Sequence, residues 1–526
     1  REEAQMITVK TYRGHIRNWK ELCEELAVDA ALPREEKEQE ILVKDALKVL
    51  NKEPDLQPVT ETEILKVLYR LVMQDSIVVE ENRVYITQQH QEEEDTASMI
   101  ARKLHERIPV LTIEKELEEA QEDLNITLSE QQKEAVRMVF ANPISIITGG
   151  PGTGKTTVLK IILYIYQKKC GNEVKLMAPT GRAARRMAES TGSGDATTMH
   201  MALGLFGDGD YEALIDELSA DFINVDEVSM VDMHLAYEFF YKVKAGARVL
   251  LVGDVHQLPS VGAGDVFRQL ILCGKIPVTV LNLVYRQGKD SNIPINAQLI
   301  NEGKTNLQWG DDFQMVECSG ADAAAQIVKN IYLKEIQMYG MEQVQILSPY
   351  KVRSAAGVLE LNRSLQDEVN PPVSGKRELH LGSEIFREGD RILQNKNTEF
   401  ASNGDLGILV QIAEDEDNNP LVQIVFTDGR RVKYEAEQVE MIEHANAITI
   451  HKSQGSECQV VIIPWLKAFY PMLKRNIFYT GITRAKQRVY IVGEWKAVCQ
   501  AIHTDDTGTR KTMLAVKIQQ YCERYQ

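Results

Sequence analysis

The segment Gly149-Gly150-Pro151-Gly152-Thr153-Gly154-Lys155-Thr156 constrains this chain more than any other stretch. It fits the pattern GxxxxGK[ST], follows the apolar run Ile144–Thr148 and precedes a helical stretch from Thr157. A strand, a glycine loop and a helix in that order let backbone N–H groups curl around a phosphate, with the positive end of the helix dipole behind it. Lys155 reaches β- and γ-phosphates, and the Thr156 hydroxyl suits Mg²⁺. ATP with Mg²⁺ is therefore the expected ligand pair, cradled by Gly150, Pro151, Gly152, Thr153, Gly154, Lys155, Thr156 and Thr157.

From about residue 126 the chain alternates short apolar runs with helical stretches. Val174–Ala178, Phe222–Val225 and Arg248–Val252 end in Pro, Asp or Gly, as buried parallel strands do. A second set, Val344–Leu347, Ala447–Ile450, Val460–Ile463 and Val489–Val492, predicts a second α/β domain. Phe222–Val225 runs into Asp226-Glu227: Asp226 suits the Mg²⁺ side of the site and Glu227 the polarising of a water. Gln257, in Gly253–Ser260, is placed to orient water or sense a γ-phosphate. Arg286 and Arg484 are candidates for the charge that develops in phosphoryl transfer. An arginine arriving from a second domain would tie hydrolysis to domain closure.

Between Arg387 and Ile442 the pattern is all-β, with a hairpin signal at Asp428-Gly429. In the N-terminal quarter, Thr60–Glu63 forms a capping box ahead of a helical apolar face at Ile64, Leu65, Leu68, Leu71 and Val72. A hairpin pattern at Ile77–Ile86 follows, so the region is expected to be winged-helix-like, more as a packing unit than as a nucleic-acid wing. Gln91–Asp95 reads as a charged connector.

The net charge of −17 speaks against broad polyanion binding, but residues 1–125 hold 29 acidic and 17 basic side chains, so most of the excess lies there. The remainder is free to carry a local basic groove. Seven scattered cysteines without a CxxC pair exclude a zinc module and a disulfide framework and suit a reducing cytoplasm. No apolar run approaches the ~20 residues of a membrane span, and no secretory leader is visible. Arg1 in place of Met reads as a processed or truncated start, with domains expected upstream.

Taken together, these motifs resemble those of a superfamily 1 helicase of the RecD-like, 5′→3′ branch. Leu128–Gln132 resembles the motif that reads adenine, with Gln132 at the reading position. Ala178–Ala184 and Thr198–His200 resemble single-strand-contacting motifs, and Asp226–Asp232 and Gly253–Phe267 match the RecD pattern. Thr449–Glu457 and Tyr479–Lys486 match the last two motifs, so the resemblance spans roughly 126–500. It implies an α/β fold: two RecA-like P-loop domains (126–278 and 279–526), an SH3-like β insert at about 375–445, and a helical, winged-helix-like region over 1–125. It implies nucleotide contacts from Gln132, Gly455 and Glu457. It also implies single-stranded DNA contacts from Pro179, Thr180, Arg182, Thr198, His200, Thr449, His451 and Ser453, residue types that suit phosphates. The expected activity is ATP-driven, 5′→3′ movement on single-stranded DNA with unwinding of forked duplex DNA, in repair or recombination, by a cytoplasmic, nucleoid-associated monomer. A strand-separating pin is expected within about 201–222, at Gly204–Tyr211. Two other readings stay open: an ATPase that translocates without unwinding, and an accessory motor subunit of a recombination complex.

Overall fold

A computed structural model describes residues 37–50, 60–80, 83–171, 173–192, 194, 196–205, 216–282, 291–382, 384–398, 400–414, 419–506, 510 and 512–525. Arg286 and the core of the expected pin, 206–215, lie outside the described residues.

The first α/β unit is a six-stranded parallel sheet. Its strands are β1 (Ile144–Gly149), β2 (Val174–Ala178), β3 (Ala196–Thr198), β4 (Phe222–Val225), β5 (Arg248–Gly253) and β6 (Val278–Leu281), in the order β3-β2-β4-β5-β1-β6. Both faces are covered, so β1, β4 and β5 are buried throughout. Thr148 pairs with Gly253, and Val225 with Leu251, which aligns the carboxyl ends of β1, β4 and β5 at one edge. Loops at that edge carry the site in such sheets. The expected boundary at residue 278 falls inside this sheet, at the first residue of β6.

A second, five-stranded parallel sheet comprises β7 (Phe313–Glu317), β8 (Val344–Ser348), β9 (Ala447–Thr449), β10 (Cys458–Trp465) and β11 (Ala485–Gly493), ordered β7-β11-β10-β8-β9. Between β8 and β9 the chain makes a separate antiparallel sheet from Arg391–Gln394, Leu406–Glu414, Pro420–Phe426, Arg431–Tyr434 and Ile442–His444, with its own core around Phe386, Ile424 and Tyr434. The Asp428-Gly429 turn closes the hairpin in which Val425 pairs with Arg431. The mixed α/β class with an SH3-like insert is thus the fold.

Ahead of the first sheet, Thr60 and Glu63 make the expected capping box, with Glu63 Oε2 accepting from Thr60 N at 2.8 Å. The buried stripe of that helix is Ile64, Val67 and Leu68, whereas Leu65 is 38% exposed. Leu65 stands about 100° round from Ile64, on the side that Tyr69 and Met73 continue outward. Ile77–Glu80 and Arg83–Ile86 pair as a hairpin.

The expectation for Gln91–Asp95 is corrected. These residues lie inside α1 (Thr87–Leu104), where Glu92 and Glu93 are buried. Their partners come from far along the chain. The last helix, Leu514–Arg524, returns to the first domain, and Leu514 and Ile518 share a core with Ala97 and Ile100 of α1 and Phe267. The end of the 279–526 segment therefore belongs, by packing, to the first sheet. Lys517, 3% exposed, lies 3.2 Å from Glu93, 3.1 Å from Glu94 and 3.4 Å from Glu80. Thr512 donates to Glu93 at 2.6 Å and Tyr521 to Glu94 at 2.8 Å. Glu80, His90 and Glu94 could offer ligands to a metal, but the Lys517 ammonium already supplies the cation beside them.

Removing one partner of a buried ion cluster costs about 3–5 kcal/mol. Lys517→Met, which keeps the stem and deletes the charge, should lower the thermal midpoint of the chain and raise amide exchange in α1. An unchanged midpoint with protected α1 amides would show that the apolar contacts alone hold the last helix.

Candidate nucleotide and strand site

The glycine loop leaves β1 and enters α3 (Lys155–Lys169), following α2 (Glu130–Ala141), which packs beside it. Gly154 has φ +84°, and a Cβ there would lie 2.4 Å from Gln132 Nε2. Gln132 is 4% exposed and engaged at both ends: Oε1 accepts from Ser129 N at 3.0 Å, and Nε2 donates to Thr153 O at 3.3 Å. Gln132 therefore braces the loop from the start of α2, with its second N–H and second lone pair left over. Thr153 donates to Gly150 O at 2.9 Å, and Lys155 Nζ folds over the loop to Gly149 O at 2.6 Å and Gly150 O at 3.0 Å. Thr156 is exposed in the first turn of α3, where free N–H groups face the loop. Pro151, Gly152 and Thr157 are partly buried.

Asp226 follows β4, and Glu227 N donates to its Oδ1 at 2.8 Å. Burial, then the neighbouring Glu227, pushes the Asp226 carboxyl up to about 6, while Lys155 and Arg186 act in the opposite sense. Glu227 holds φ +52°, a left-handed conformation that costs about 1–2 kcal/mol in a residue with a Cβ. Hydroxyl and carboxylate oxygens are the donors Mg²⁺ prefers, so Thr156 and Asp226 fit that ion.

The second domain closes on this edge. Its helix α5 (numbered after α4, Gly181–Thr191, which follows β2) spans Arg475–Ile482. Tyr479 on α5 donates to Asp254 Oδ2 at 2.8 Å, and its hydroxyl stands 3.2 Å from where a Gly150 Cβ would be. Burial first, then Asp254, drives the Tyr479 phenol well above its ordinary pKa, so it remains a donor. Asp254 also accepts from His256 N at 3.1 Å and Gln257 Nε2 at 3.4 Å. Gln257 Oε1 is buried without a hydrogen-bond partner among the described residues. Leu258 N donates to Thr480 Oγ1 at 2.9 Å, and Gln454 Nε2 donates to Leu258 O at 2.9 Å. Arg484, 3% exposed, donates only to Thr480 O, Ser456 O and Thr483 Oγ1 among the described residues. A guanidinium held by neutral oxygens keeps its charge for an incoming anion.

The expected strand contacts divide by what their protons do. Thr180 Oγ1 accepts from Ala183 N to cap α4, Thr198 Oγ1 accepts from Met201 N, and Thr449 Oγ1 accepts from Lys452 N. A hydroxyl that accepts a bond still has its proton to donate to a phosphate. Ser453 departs from the expectation: it is 1% exposed and donates its proton to Ile450 O at 2.7 Å, so it holds its own turn. Arg182 donates to Gly404 O of the insert, which occupies it inside the protein. Pro179 is partly buried beside Thr180, and His200 is exposed. His451, whose basicity is lowered by burial and by Lys474, lines a 420 Å³ cleft between the domains with Gln257, Pro259, Lys474 and Arg510. Gly455 (φ +70°) packs on Thr180, where a Cβ would lie 3.0 Å from Oγ1. Glu457 pairs with Arg186 of α4 and, at 3.5 Å, with Lys486.

Sequence reasoning did not assign roles to Tyr479, Asp254, Thr480 or Arg186. Tyr479 and Asp254 stand inside quoted motifs, but only the fold brings them together across 225 positions.

Family models match three stretches: residues 127–321 as an AAA domain, 361–426 as an ATP-dependent RecD-like DNA helicase SH3 domain, and 444–492 as a UvrD-like helicase C-terminal domain. The chain is 34% identical to the ATP-dependent RecD2 DNA helicase of Deinococcus radiodurans over 70% of its own length and 50% of that protein. It is 28% identical to the RecBCD enzyme subunit RecD of Mycolicibacterium smegmatis, over 73% of this chain and 75% of that one. The chain therefore spans half the length of the Deinococcus relative. Among solved structures, Bacteroides Pif1 bound to ssDNA aligns at 19% identity and TM-score 0.45, covering 70% of this chain and 92% of that chain.

Gly154→Ala would strain φ and drive a methyl into Gln132. Nucleotide affinity, read by titrating a fluorescent ATP analogue, should fall about tenfold or more, the equivalent of ~1.4 kcal/mol, with the circular dichroism unchanged. Wild-type affinity would mean that the loop does not need Gln132 as its brace.

Proposed function

Because this chain belongs to the RecD-like helicases, we propose that it is an ATP-driven motor that moves 5′→3′ on single-stranded DNA and unwinds forked duplexes. The observation that carries the reading is the closure of α5 on the glycine loop, with Tyr479 on Asp254 and Arg484 behind it. A nucleotide switch needs the loop and the two carboxylates; a motor also needs a second domain that feels what the loop holds.

In this reading, the N–H groups of residues 150–156 and the Lys155 ammonium bind the ATP phosphates. Thr156 and Asp226 hold Mg²⁺, which when bound neutralises phosphate charge. Glu227 orients the attacking water, and Gln257, bonded to Asp254 at the same edge of the sheet, senses the γ-phosphate. Arg484, and Arg286 in the resemblance, stabilise charge that grows in the transition state. Thr180, Thr198 and Thr449 donate to phosphates of the strand, and His451 lines the cleft beside them.

Repair or recombination is the proposed setting. No helix among the described residues is long and apolar enough to cross a membrane, and we place the protein in the cytoplasm, at the nucleoid, as a monomer. The RecBCD subunit names of several relatives favour a second reading, an accessory motor within a larger complex. Full unwinding by the purified chain alone would exclude it.

The decisive test is unwinding of forked duplexes with a single 5′ or a single 3′ tail: the 5′-tailed fork should open with ATP and the 3′-tailed fork should not. The reverse preference would overturn the polarity, and ATP hydrolysis without either product would favour a translocase that does not unwind. Lys155→Ala should abolish DNA-stimulated hydrolysis, and Arg484→Ala should lower kcat by ~10³ or more with a much smaller change in nucleotide affinity. If Arg484→Ala instead lost affinity and kept turnover per bound nucleotide, Arg484 would be a binding group and closure would not drive chemistry.

A further inference from the structure

Three arginines on one stretch of α4 reach out of the first domain. Arg182 donates to Gly404 O, Arg185 pairs with Asp405 and, at 3.1 Å, with Asp428, and Arg186 pairs with Glu457. The first two partners belong to the β insert and the third to the turn after β9. The opposite face of α4 is buried: Ala183, Ala184 and Met187 lie in the core of the first domain, and Asn224 of β4 donates to Met187 Sδ at 3.2 Å. At its N-terminus, Thr180 both caps α4 and meets Gly455. One helix thus touches a proposed strand-contacting residue, the insert and the turn that carries Glu457.

Within α4 the three arginines are not equivalent. Arg182 and Arg185 bind the insert, whose partner Asp405 is 1% exposed and also bonded by Arg430. These contacts hold the insert in place. Arg186 alone joins the first domain to a residue expected at the nucleotide, Glu457, which is 9% exposed. A nucleotide that draws Glu457 away from Arg186 would break that pair, and Arg186 stands on the helix whose cap is Thr180.

We propose that Arg186 is a positioning residue that couples nucleotide binding to strand grip, through its ion pair with Glu457 and the rigid packing of α4. The inference rests on the helicase reading, and the experiment separates the two.

Allosteric coupling of this kind is a free energy shared by two ligands, so it is read as a ratio of affinities and is reciprocal. The probe is a fluorescent oligothymidylate, titrated with and without a non-hydrolysable ATP analogue. In the wild type the analogue should change the strand Kd by about 5-fold or more, the low end of typical coupling. Arg186→Ala should bring that ratio close to one, Arg186→Lys should restore part of it, and Glu457→Gln should resemble Arg186→Ala. The double variant should show no further loss, because both changes remove the same link. A wild type that binds no strand either with or without Mg²⁺ and nucleotide would sink the helicase reading itself, and a wild-type ratio of one would overturn the inference. A wild-type ratio retained in soluble, folded Arg186→Ala would overturn the inference and leave that reading standing. Losses that multiply in the double variant would equally overturn it, since Arg186 and Glu457 would then act independently. Should Arg186→Ala fail to fold, the Arg186→Lys and Glu457→Gln pair carries the same comparison.

Discussion

Asp254 ends β5 with 1% of its surface exposed, and a carboxylate buried to that degree is tolerated only when its oxygens are bonded. Two of its bonds are local, from His256 N and Gln257. The third comes from Tyr479, on a helix of the other domain. Without that phenol, Asp254 Oδ2 would keep only the 3.4 Å contact from Gln257. The register of the first sheet pairs Thr148 with Gly253, so Asp254 follows at the edge where the glycine loop begins, and the Tyr479 hydroxyl that holds it stands 3.2 Å from where a Gly150 Cβ would be. This hydrogen bond therefore joins the second domain to the nucleotide edge at a buried carboxylate. Leu258, Thr480 and Gln454 extend the same seam with two further bonds.

The acidity of the N-terminal quarter has a local explanation in the same terms. Glu92, Glu93 and Glu94 look like a solvated charge run, and a solvated run would repel a nucleic-acid strand. Instead two of the three are buried, with Lys517, Thr512 and Tyr521 of the chain end as partners for Glu93 and Glu94, and His234 at 2.8 Å for Glu92. That charge helps to join α1 and the helix Leu514–Arg524 on one face of the first sheet. The net charge of −17 is thus a poor guide to the potential at the cleft, where Lys474 pairs with Asp506 at 2.7 Å, Arg268 stands 3.9 Å from Asp265, and Arg510 also lines the wall.

Local signals made much of this legible in advance. The glycine loop, the Asp226-Glu227 strand end, the Asp-Gly hairpin and the Thr60 capping box each depend on residues within a few positions of one another, and each stands as the sequence implies. The failures share one cause. Gln91–Asp95 resembles a connector in sequence because the partners of its buried carboxylates are distant, His234 for Glu92 and Thr512 for Glu93. Leu65 was placed on the wrong side of its helix because its neighbour Ile64 is equally apolar and only packing separates them. Ser453 looked available to a strand because a sequence does not reveal where a hydroxyl proton points. Tyr479, Thr480 and Arg186 carried no signal of their own, since tyrosines, threonines and arginines near a motif are common and only a facing domain selects among them.

The hydroxyl arithmetic has a consequence for how a strand is held. Thr180, Thr198 and Thr449 each accept a backbone bond at the start of a turn or helix, which fixes the oxygen and leaves one proton to give. Arg182 and Arg185, the cations nearest Thr180 in sequence, are bound within the protein to Gly404 and Asp405. Grip at this edge therefore comes more from fixed donors than from mobile positive charge. Fixed donors on helix caps move only when their helix moves. A domain that shifts α4 shifts Thr180 with it, and a change at Glu457 reaches the strand as geometry rather than as a change in potential. In the proposed reading, a chain with a large negative balance would hold and release a polyanion through where a few protons point, and those are set by the packing of one helix between two sheets.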